Sequence, residues 1–400
     1  MPIGTPFHAR TFALCDSLSY RDWAGYFAVS SYEAHHEHEY HAIRNAAALI
    51  DISPLYKYLV TGPDAVRLVD RVITRDATRI VVGQAVYTTW CDEQGHVLDD
   101  GTVARLEDER FRWTAAEPNL RWLRQNAVGL RVQIEDESEQ TAALAVQGPT
   151  SARVLRAVAD CDIDRLRYFG VTRARIANAD VEISRTGYTG DLGYEIWVPR
   201  QSALDVWDAL ERVAGLARLT PAGMLALDVA RVEAGLLLLD VDFHSSRKAT
   251  IASQRYTPFE LGLGRLVHLH KTSFVGREAL VRAQASAPGR QIVGLEIEWT
   301  DVEALHERAG LVPLAPAIAS RVAVPVMKDG RQIGRATTTA WSPTLKRLLA
   351  LATVDAPYFQ PGTRLDFEYT VDASRHVVGA RVVPTPFLSP ARKTATPPSL

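Results

Sequence analysis

The sequence predicts an α+β fold with two related α/β lobes and a separate C-terminal β domain. The first observation is a strand, a Gly-Pro turn and a helix that occur twice, over residues 58–75 and again over about 144–158. Apolar residues at helical spacing follow each turn. Two copies of a unit cannot form an extended stack, so they indicate two packed lobes. The second observation is that short strands and turns replace the helical pattern from Arg290 onward, which indicates a separate β domain.

These patterns give the domain boundaries. Residues 1–56 and 140–289 form the first lobe, residues 57–139 form the second, and residues 290–388 form the C-terminal β domain. Proline mixed with Lys, Thr and Ser predicts a disordered tail over residues 389–400.

Elements inside the lobes follow from local signals. Alternating segments at 85–87 and 101–104 are typical of antiparallel strands. Thr220 is a suitable N-cap and Pro221 suits the first helical position, so a helix is expected from there to Gly235.

The composition is that of an ordinary globular chain, with 400 residues, 47% of them hydrophobic and 23% charged, enough for two or three domains. The 45 Lys and Arg against 47 Asp and Glu leave no net positive field, so we expect a small ligand rather than nucleic acid or a membrane. The cysteines at 15, 91 and 161 lack CxxC spacing, which fits a reducing compartment. No secretion signal or apolar run of roughly 18 residues is present, so we expect a cytoplasmic protein.

Two adjacent carboxylates, Asp99 and Asp100, follow a turn at Gly95 and an apolar pair. On a strand, neighbouring side chains point to opposite faces. One carboxylate therefore faces inward if the other faces solvent, and an inward carboxylate is paired, hydrogen-bonded or functional. From this segment alone, a strand-end Asp that accepts backbone N–H groups is the favoured interpretation, and a functional carboxylate is the alternative.

A second candidate segment covers residues 184–195 and has three glycines within the seven residues from Gly187 to Gly193. No Gly-Lys-Ser/Thr follows them, so the segment predicts a hairpin-like loop rather than a phosphate cradle. Glu195 lies on the next strand among aromatic and apolar residues. A carboxylate can pair with the N–H and NH₂ edge of a pterin ring as it pairs with a guanidinium. A solvent-facing Glu on an edge strand is an equally good interpretation.

A His-rich run over residues 35–41 superficially resembles a zinc signature. An HExxH motif would need His at position 40, where the chain has Tyr40. Histidine is tolerated on a wet surface, so we expect a solvated helix or a substrate-lining segment and no metal site.

From about residue 40 to residue 390, the chain contains an ordered set of motifs that resembles that of the aminomethyltransferase (T-protein) family. The most specific element is Arg-Thr-Gly-Tyr-Thr-Gly from Arg185, followed by Gly-x-Glu ending at Glu195. The other elements, in chain order, are Val60-Thr61-Gly62-Pro63-Asp64-Ala65, Tyr87, Asp99-Asp100, Gln147-Gly148-Pro149, Pro221-Ala222-Gly223, Arg231-Val232-Glu233-Ala234, Phe274-Val275-Gly276-Arg277-Glu278-Ala279-Leu280 and Ser342-Pro343-Thr344-Leu345.

The resemblance implies three domains around a central folate site, the last of them a β-barrel, with tetrahydrofolate as cofactor. Asp100 resembles the catalytic Asp beside the reactive folate nitrogens, and Glu195 resembles the carboxylate that anchors the pterin. Tyr87 resembles the tyrosine that lines the same pocket, although a core aromatic is an equally good interpretation. Tyr188 and Arg185 of the glycine-rich motif are assigned to cofactor binding with them.

Departures from the family pattern bear on the substrate. Where the family has Gly-Ala-Arg-Asp, this chain has Leu225-Ala226-Leu227-Asp228, so an arginine expected near the ligand is Leu227. The connection over residues 236–256 is also longer than in T-proteins. Both features favour a demethylase that moves a methyl group from a small N-, O- or S-methylated donor to tetrahydrofolate, over chemistry on a lipoyl carrier.

Three alternatives stay open. The first is an aminomethyltransferase of glycine-cleavage type with a carrier protein as partner. The second is a folate-binding protein without transferase activity, although relatives that assist iron–sulfur assembly carry a cysteine where this chain has Ser273. The third is a subunit that works with a flavin oxidase, because the chain has no Gly-x-Gly-x-x-Gly segment of its own.

Overall fold

The computed structural model describes residues 1–397, which contain twenty strands and ten α-helices. The strands are β1 (Ile3–Gly4), β2 (Ser19–Trp23), β3 (Tyr26–Ser31), β4 (Ala47–Asp51), β5 (Tyr56–Thr61), β6 (Gln84–Cys91), β7 (Val97–Glu107), β8 (Arg110–Ala115), β9 (Gln133–Asp136), β10 (Thr141–Gln147), β11 (Val171–Ile176), β12 (Ala179–Ser184), β13 (Gly193–Pro199), β14 (Leu219–Pro221), β15 (Arg290–Ile297), β16 (Val324–Lys328), β17 (Arg331–Ser342), β18 (Arg347–Asp355), β19 (Arg364–Val371) and β20 (Ser374–Val383).

The helices are mostly short. They are α1 (His8–Leu14), α2 (Glu37–Asn45), α3 (Ala65–Val72), α4 (Leu120–Asn126), α5 (Ser151–Val158), α6 (Ala203–Arg212), α7 (Ala214–Ala217), α8 (Met224–Glu233), α9 (Arg277–Gln284) and α10 (Trp299–Arg308). Within the described residues, none of the helices is long and apolar enough to cross a membrane.

The first lobe is built on a six-stranded sheet in the order β11-β12-β13-β10-β4-β14. Its central strand β10 reads as an almost continuous apolar run because helices cover both faces of the sheet. Leu144 and Val146 pack in the cluster that contains residues of α5 and α6, whereas Ala143 and Ala145 pack in the cluster that contains residues of α2 and α8. Because successive side chains of β10 point to opposite faces of the sheet, this one strand contributes to the apolar cores on both faces.

The second lobe has a five-stranded sheet in the order β6-β7-β8-β5-β9, and helix α3 packs in its core. The predicted Gly-Pro turn leads into α3 in the second lobe and into α5 in the first lobe. Gly62 and Gly148 adopt φ values of +117° and +126°, and an added Cβ would lie 2.6 Å and 2.5 Å from the carbonyl oxygens of Arg131 and Ala46, respectively. Only glycine fits at these two turns, which explains why the same signal marks both lobes.

The C-terminal domain is a closed barrel in the order β15-β18-β17-β16-β19-β20. Its interior contains the apolar cluster of the alternating inward residues of these strands, and Val302 and Leu305 of α10 join it. The predicted α+β class, with two lobes and a β-barrel, is therefore confirmed.

The start of helix α8 differs from the prediction. Leu219, Thr220 and Pro221 form β14 and pair in parallel with β4, and the helix begins three residues later at Met224. Proline is accepted in β14 because this strand lies at the edge of its sheet. Sheet pairing with a distant segment thus replaces the local capping signal.

The C-terminal segment for which the sequence predicts disorder makes defined contacts over the part that the structure describes. Residues 389–397, which we name the C-terminal strap, include a 3-10 turn at Ala391–Lys393. Arg392 donates to both carboxylate oxygens of Asp191, at 2.6 and 2.8 Å. This bidentate pair holds the strap against the first lobe, and residues 398–400 of the predicted tail lie outside the described residues.

A buried carboxylate, Glu233, joins the first lobe to the barrel. It accepts from Arg44 Nε at 2.8 Å and Nη2 at 2.6 Å, and from the hydroxyls of Tyr40 and Ser342 at 2.5 Å each. Arg44 and Glu233 have side chains only 3% and 1% exposed. Because water does not reach either group, the charges of Arg44 and Glu233 stabilise each other.

We expect Glu233→Gln to lower the free energy of unfolding by about 3 kcal/mol, because the change leaves a buried guanidinium without its main counter-charge. Urea denaturation of the two proteins measures the difference. The matched control is Glu303→Gln, which removes the same charge from an exposed position on α10. Equal stability of the two variants would contradict the assigned role.

Candidate active site

The register of β6 and β7 places two adjacent carboxylates in different surroundings. Thr89 lies opposite Asp100 and Trp90 lies opposite Asp99, so the two Asp side chains point to opposite faces of the sheet. Asp99 is fully buried, and its oxygens accept from Asn119 Nδ2 and from the backbone N–H of Asp100, both at 2.8 Å. Asp99 is therefore the hydrogen-bonded interior carboxylate that the strand pattern predicts.

Asp100 forms a pair with Tyr87 on the other face. Tyr87 lies diagonally across the strand pair, and its hydroxyl donates to Asp100 Oδ2 at 2.6 Å. Burial raises the pKa of Asp100 to about 6, while the bond from Tyr87 acts in the opposite direction. Burial, and then the charge of Asp100, raise the pKa of Tyr87, so the hydroxyl remains a donor. Asp100 is thus a carboxyl group that changes charge close to neutral pH.

The glycine-rich loop brings Tyr188 beside this pair. The Tyr188 hydroxyl donates to the carbonyl oxygen of Leu237, and burial raises its pKa. The charge of Asp100 also raises the pKa of Tyr188, and the nearness of Tyr188 raises that of Tyr87. Leu237 packs in the same apolar cluster as Tyr87, so Tyr188 lies beside the Asp100–Tyr87 pair.

Glu195 lies on β13, next to the start of the same loop. Its Oε2 accepts from Thr186 Oγ1 at 2.6 Å, and the hydroxyls of Thr186 and Ser184 lie 2.7 Å apart. Burial raises the pKa of Glu195, and the two hydroxyls oppose that effect. No Lys, Arg or His within residues 1–397 forms an ion pair with it. A half-buried carboxylate without a cation suits a ligand that supplies neighbouring N–H donors.

Gln147 belongs to one of the ordered motifs but was assigned no function, and in the structure this residue fixes the loop. Its amide Nε2 donates to the carbonyl oxygens of Thr186 and Tyr194 at 3.1 and 3.2 Å, and its Oε1 accepts from Thr189 at 2.9 Å. An added Cβ at Gly187 or Gly193 would lie 2.0 or 2.2 Å from Gln147 Oε1. The glycines therefore make room for a glutamine, and its place directly before Gly148-Pro149 was the available signal.

Arg185 is not brought together with the other predicted site residues. It alternates with Ser184 and Thr186, whose hydroxyls face Glu195, so its side chain points the other way. The guanidinium donates to the carbonyl oxygen of Leu166 at 3.2 Å and to that of Lys393 at 3.3 Å. This position gives Arg185 a part in holding the C-terminal strap, and it does not support the expected contact with the cofactor.

The position of the missing arginine is apolar. Leu227 is 8% exposed and packs in the cluster that joins α2 and α8. Asp228, the next residue, is paired instead by Arg21 at 3.0 Å and by Arg321 at 2.6 Å. The guanidinium groups of this region thus come from other segments and already have a carboxylate partner.

The His-rich run begins helix α2. Its buried Glu39 accepts from the backbone N–H groups of Tyr32 and Gly223, both at 2.7 Å, so it ties the segment to the start of α8. Within residues 1–397 there is no group of three or more His, Cys, Asp or Glu that could hold a metal ion.

Comparison with known proteins agrees with the fold and the order of the motifs. The GCVT N-terminal domain matches residues 13–271, and the glycine cleavage T-protein C-terminal barrel domain matches residues 290–388. The crystal structure of the glycine cleavage system aminomethyltransferase T from Bartonella henselae superposes with a TM-score of 0.82 at 24% identity, over 97% of this chain and 99% of that one. That likeness shows the fold.

Two relatives are similar in sequence. An aminomethyltransferase from Streptomyces avermitilis is 35% identical over 91% of this chain and 93% of its own length. A trimethylamine-oxide aldolase from Ruegeria pomeroyi is 34% identical over 88% of this chain, which spans only 43% of that protein. The chain belongs to the glycine cleavage T-protein family, and it is a tetrahydrofolate-dependent one-carbon transferase.

Proposed function

We propose that this protein transfers a methyl group from a small N-, O- or S-methylated donor to tetrahydrofolate. The observation that supports the proposal is the Asp100–Tyr87 pair, which lies beside Tyr188 on a loop that also contacts Glu195. Tetrahydrofolate, when bound, supplies the nitrogen that accepts the one-carbon unit. The protein's residues bind tetrahydrofolate, align this nitrogen with the donor and stabilise the charge that develops around it.

Glu195 and Tyr188 are the proposed cofactor-binding residues, together with Tyr87. The half-buried carboxylate of Glu195 is held by Thr186 at 2.6 Å and forms no ion pair in the described chain. It fits the paired N–H and NH₂ edge of a pterin, which would supply two donors in one plane. Thr186 fixes the carboxylate orientation, so the ligand meets a preorganised acceptor.

Asp100 is the proposed catalytic residue. With a pKa of about 6, its carboxyl group is largely ionised at neutral pH and still able to take up a proton. The hydroxyl of Tyr87 restrains one oxygen and leaves the other for the reacting groups. The carboxylate can then stabilise positive charge that develops on a nitrogen and hold the proton that is released.

The nature of the donor follows from the surroundings of α8. Where the family pattern has an arginine, this chain has the apolar Leu227. A carboxylate or carrier-bound substrate therefore lacks the charge-assisted hydrogen bond that a guanidinium would donate at this place. The similarity to a trimethylamine-oxide aldolase supports a donor related to methylated amines. A small methylated compound fits both observations.

The second candidate is an aminomethyltransferase of glycine-cleavage type. It is favoured by the relative from Streptomyces avermitilis, which matches over 93% of its own length. In that case a carrier protein would deliver the substrate. A flavin oxidase would be the partner if the donor must first be oxidised.

Product identity separates these candidates. The protein is incubated with tetrahydrofolate and a panel of N-, O- and S-methylated donors, or with an aminomethylated lipoyl carrier. We expect 5-methyltetrahydrofolate from at least one small donor. Formation of 5,10-methylenetetrahydrofolate from the carrier alone would favour the second candidate, and absence of both products together with absence of folate binding would reject transfer.

Replacement of Asp100 by Asn should lower turnover by about a hundredfold or more, because the variant cannot become charged or take up the proton. The dissociation constant for tetrahydrofolate should stay within about threefold of the original value, since pterin anchoring belongs to Glu195. Single-turnover kinetics and calorimetric titration measure the two quantities. Asp372→Asn, at an exposed hairpin of the barrel, is the matched control. Undiminished turnover would remove Asp100 from the mechanism.

Replacement of Glu195 by Gln should weaken tetrahydrofolate binding about tenfold to a hundredfold, because a charge-assisted hydrogen bond is worth about 1.5–3 kcal/mol. Calorimetric titration again provides the measurement, with Glu303→Gln as the control of equal charge. Equal affinity of Glu195→Gln and the unchanged protein would show that the pterin binds elsewhere.

The pH dependence tests the state of Asp100. We expect turnover to rise with pH through a midpoint of about 6 as Asp100 becomes ionised. Tyr87→Phe removes a donor that stabilises the charged form, so the midpoint should move to higher pH. Tyr358→Phe in the barrel should leave it unchanged. A midpoint that stays in place in Tyr87→Phe would mean that the titrating group is not Asp100.

A further inference from the structure

The connection over residues 236–256 lies against the start of β7, the strand that contains Asp100. The backbone N–H of Ser246 donates to the carbonyl oxygen of Val97 at 2.9 Å. The N–H of Val97 in turn donates to the carbonyl oxygen of Tyr256 at 2.7 Å. Both backbone groups of Val97 therefore bond to the connection.

This support lies where the ladder between β6 and β7 is irregular. Trp90 lies opposite Asp99, whereas its neighbour on β6 lies opposite Val97. Leu98 is therefore an extra residue on β7, as in a β-bulge. A bulge interrupts the regular ladder and redirects the side chains beside it. The direction in which the next residues of β7 point thus depends on contacts from outside the strand pair.

Asn119 supplies one of these contacts. Its side chain is fully buried, and its Nδ2 donates to Asp99 Oδ2 at 2.8 Å and to the carbonyl oxygen of Glu117 at 2.9 Å. Its Oδ1 accepts from Trp90 Nε1 at 3.1 Å and from Arg247 Nη1 at 2.9 Å. All four hydrogen-bonding positions of the amide are thus occupied.

The two donors at Oδ1 determine which way the amide of Asn119 faces. An indole N–H and a guanidinium can only donate, so both require the amide oxygen on their side. The amide nitrogen then faces Asp99, whose other oxygen accepts from the backbone N–H of Asp100 at 2.8 Å. Arg247 is thereby joined to Asp100 through two intervening side chains.

Arg247 is held in place by the second lobe and by the next residue of the connection. Its guanidinium carbon lies 5.6 Å from the centre of the Trp122 ring on α4. Lys248 pairs with Glu117 at 2.8 Å and with Asp240 at 2.6 Å, which ties the connection to the segment before α4. Arg247 itself is exposed, so its replacement leaves the apolar cores intact.

We propose that Arg247 is a positioning residue for the transfer reaction, and that it fixes the place of the Asp100 carboxylate through Asn119 and Asp99. The proposal rests on the proposed function, in which Asp100 is the catalytic residue. A displacement of about 1 Å at a reacting group is enough to lower a rate by about a hundredfold. The connection over residues 236–256 thereby contributes to turnover through hydrogen bonds within the protein.

Arg247→Met removes the donor to Asn119 and keeps an unbranched side chain. We expect turnover to fall about tenfold with the donor that yields 5-methyltetrahydrofolate, while the dissociation constant of tetrahydrofolate stays within about twofold. Single-turnover kinetics and calorimetric titration measure the two quantities. Arg247→Lys keeps an N–H donor and should recover most of the lost turnover. Arg121→Met, at an exposed position of α4, is the matched control and should keep full turnover.

A second comparison shows whether Arg247 acts through Asp100. In a chain that already carries Asp100→Asn, Arg247→Met should change the residual turnover by less than about twofold, because the group that Arg247 positions is gone. An equal tenfold loss in both backgrounds would overturn the inference, since Arg247 would then act elsewhere.

Urea denaturation separates positioning from a purely structural role. Arg247→Met and Arg121→Met should unfold at the same urea concentration. A loss of stability in Arg247→Met that accounts for its lost turnover would overturn the inference, and so would undiminished turnover in this variant. Failure of the unchanged protein to form product with any donor would instead reject the proposed function.

Discussion

A chain of four buried or half-buried charges determines how the parts of this protein meet. Glu233 pairs with Arg44, Arg44 contacts Asp191 at 3.4 Å, and Asp191 pairs with Arg392 of the strap. Arg44 also donates to the carbonyl oxygen of Thr189 at 2.9 Å, directly after Tyr188. A guanidinium this deeply buried is tolerated only with its counter-charges in place. The position of the glycine-rich loop, and with it the candidate site, thus depends on an ion network that also anchors the barrel.

The two neighbouring carboxylates show how one strand can produce different chemistry at adjacent positions. Asp99 is enclosed among an amide side chain and backbone N–H groups, and burial followed by the charge of Asp100 raises its pKa well above the usual value. Asp100 has a single hydroxyl donor, from Tyr87, and its pKa of about 6 lies close to neutrality. Both residues are aspartates, so the difference in pKa cannot come from the residue type. It comes from the alternation of side chains along the strand and from the placement of hydrogen-bond donors.

The sequence predicts those features that depend on local physics. The two Gly-Pro turns need a positive φ at the glycine, so they leave a pattern in the sequence itself. The contact of Arg185 with the strap could not be predicted, because these carbonyl oxygens lie 207 to 210 residues away. The predicted start of α8 was wrong for a similar reason. The pairing of β14 with β4, a distant segment, competes with a good capping sequence. Asp100 was identified through the ordered motifs, and its bond to Tyr87 depends on a strand register that no single segment specifies.

The strap also closes the chain on itself. Arg392 donates to the backbone carbonyl oxygen of Arg44, a residue 348 positions earlier, so a segment that follows the barrel in the chain holds the first lobe. During synthesis the glycine-rich loop therefore gains its contact with Arg392 only after the whole barrel has emerged. Contacts of such long sequence separation form late, because the entropy of the intervening chain must be lost first. Formation of the candidate site thereby depends on a segment that is synthesised after the barrel.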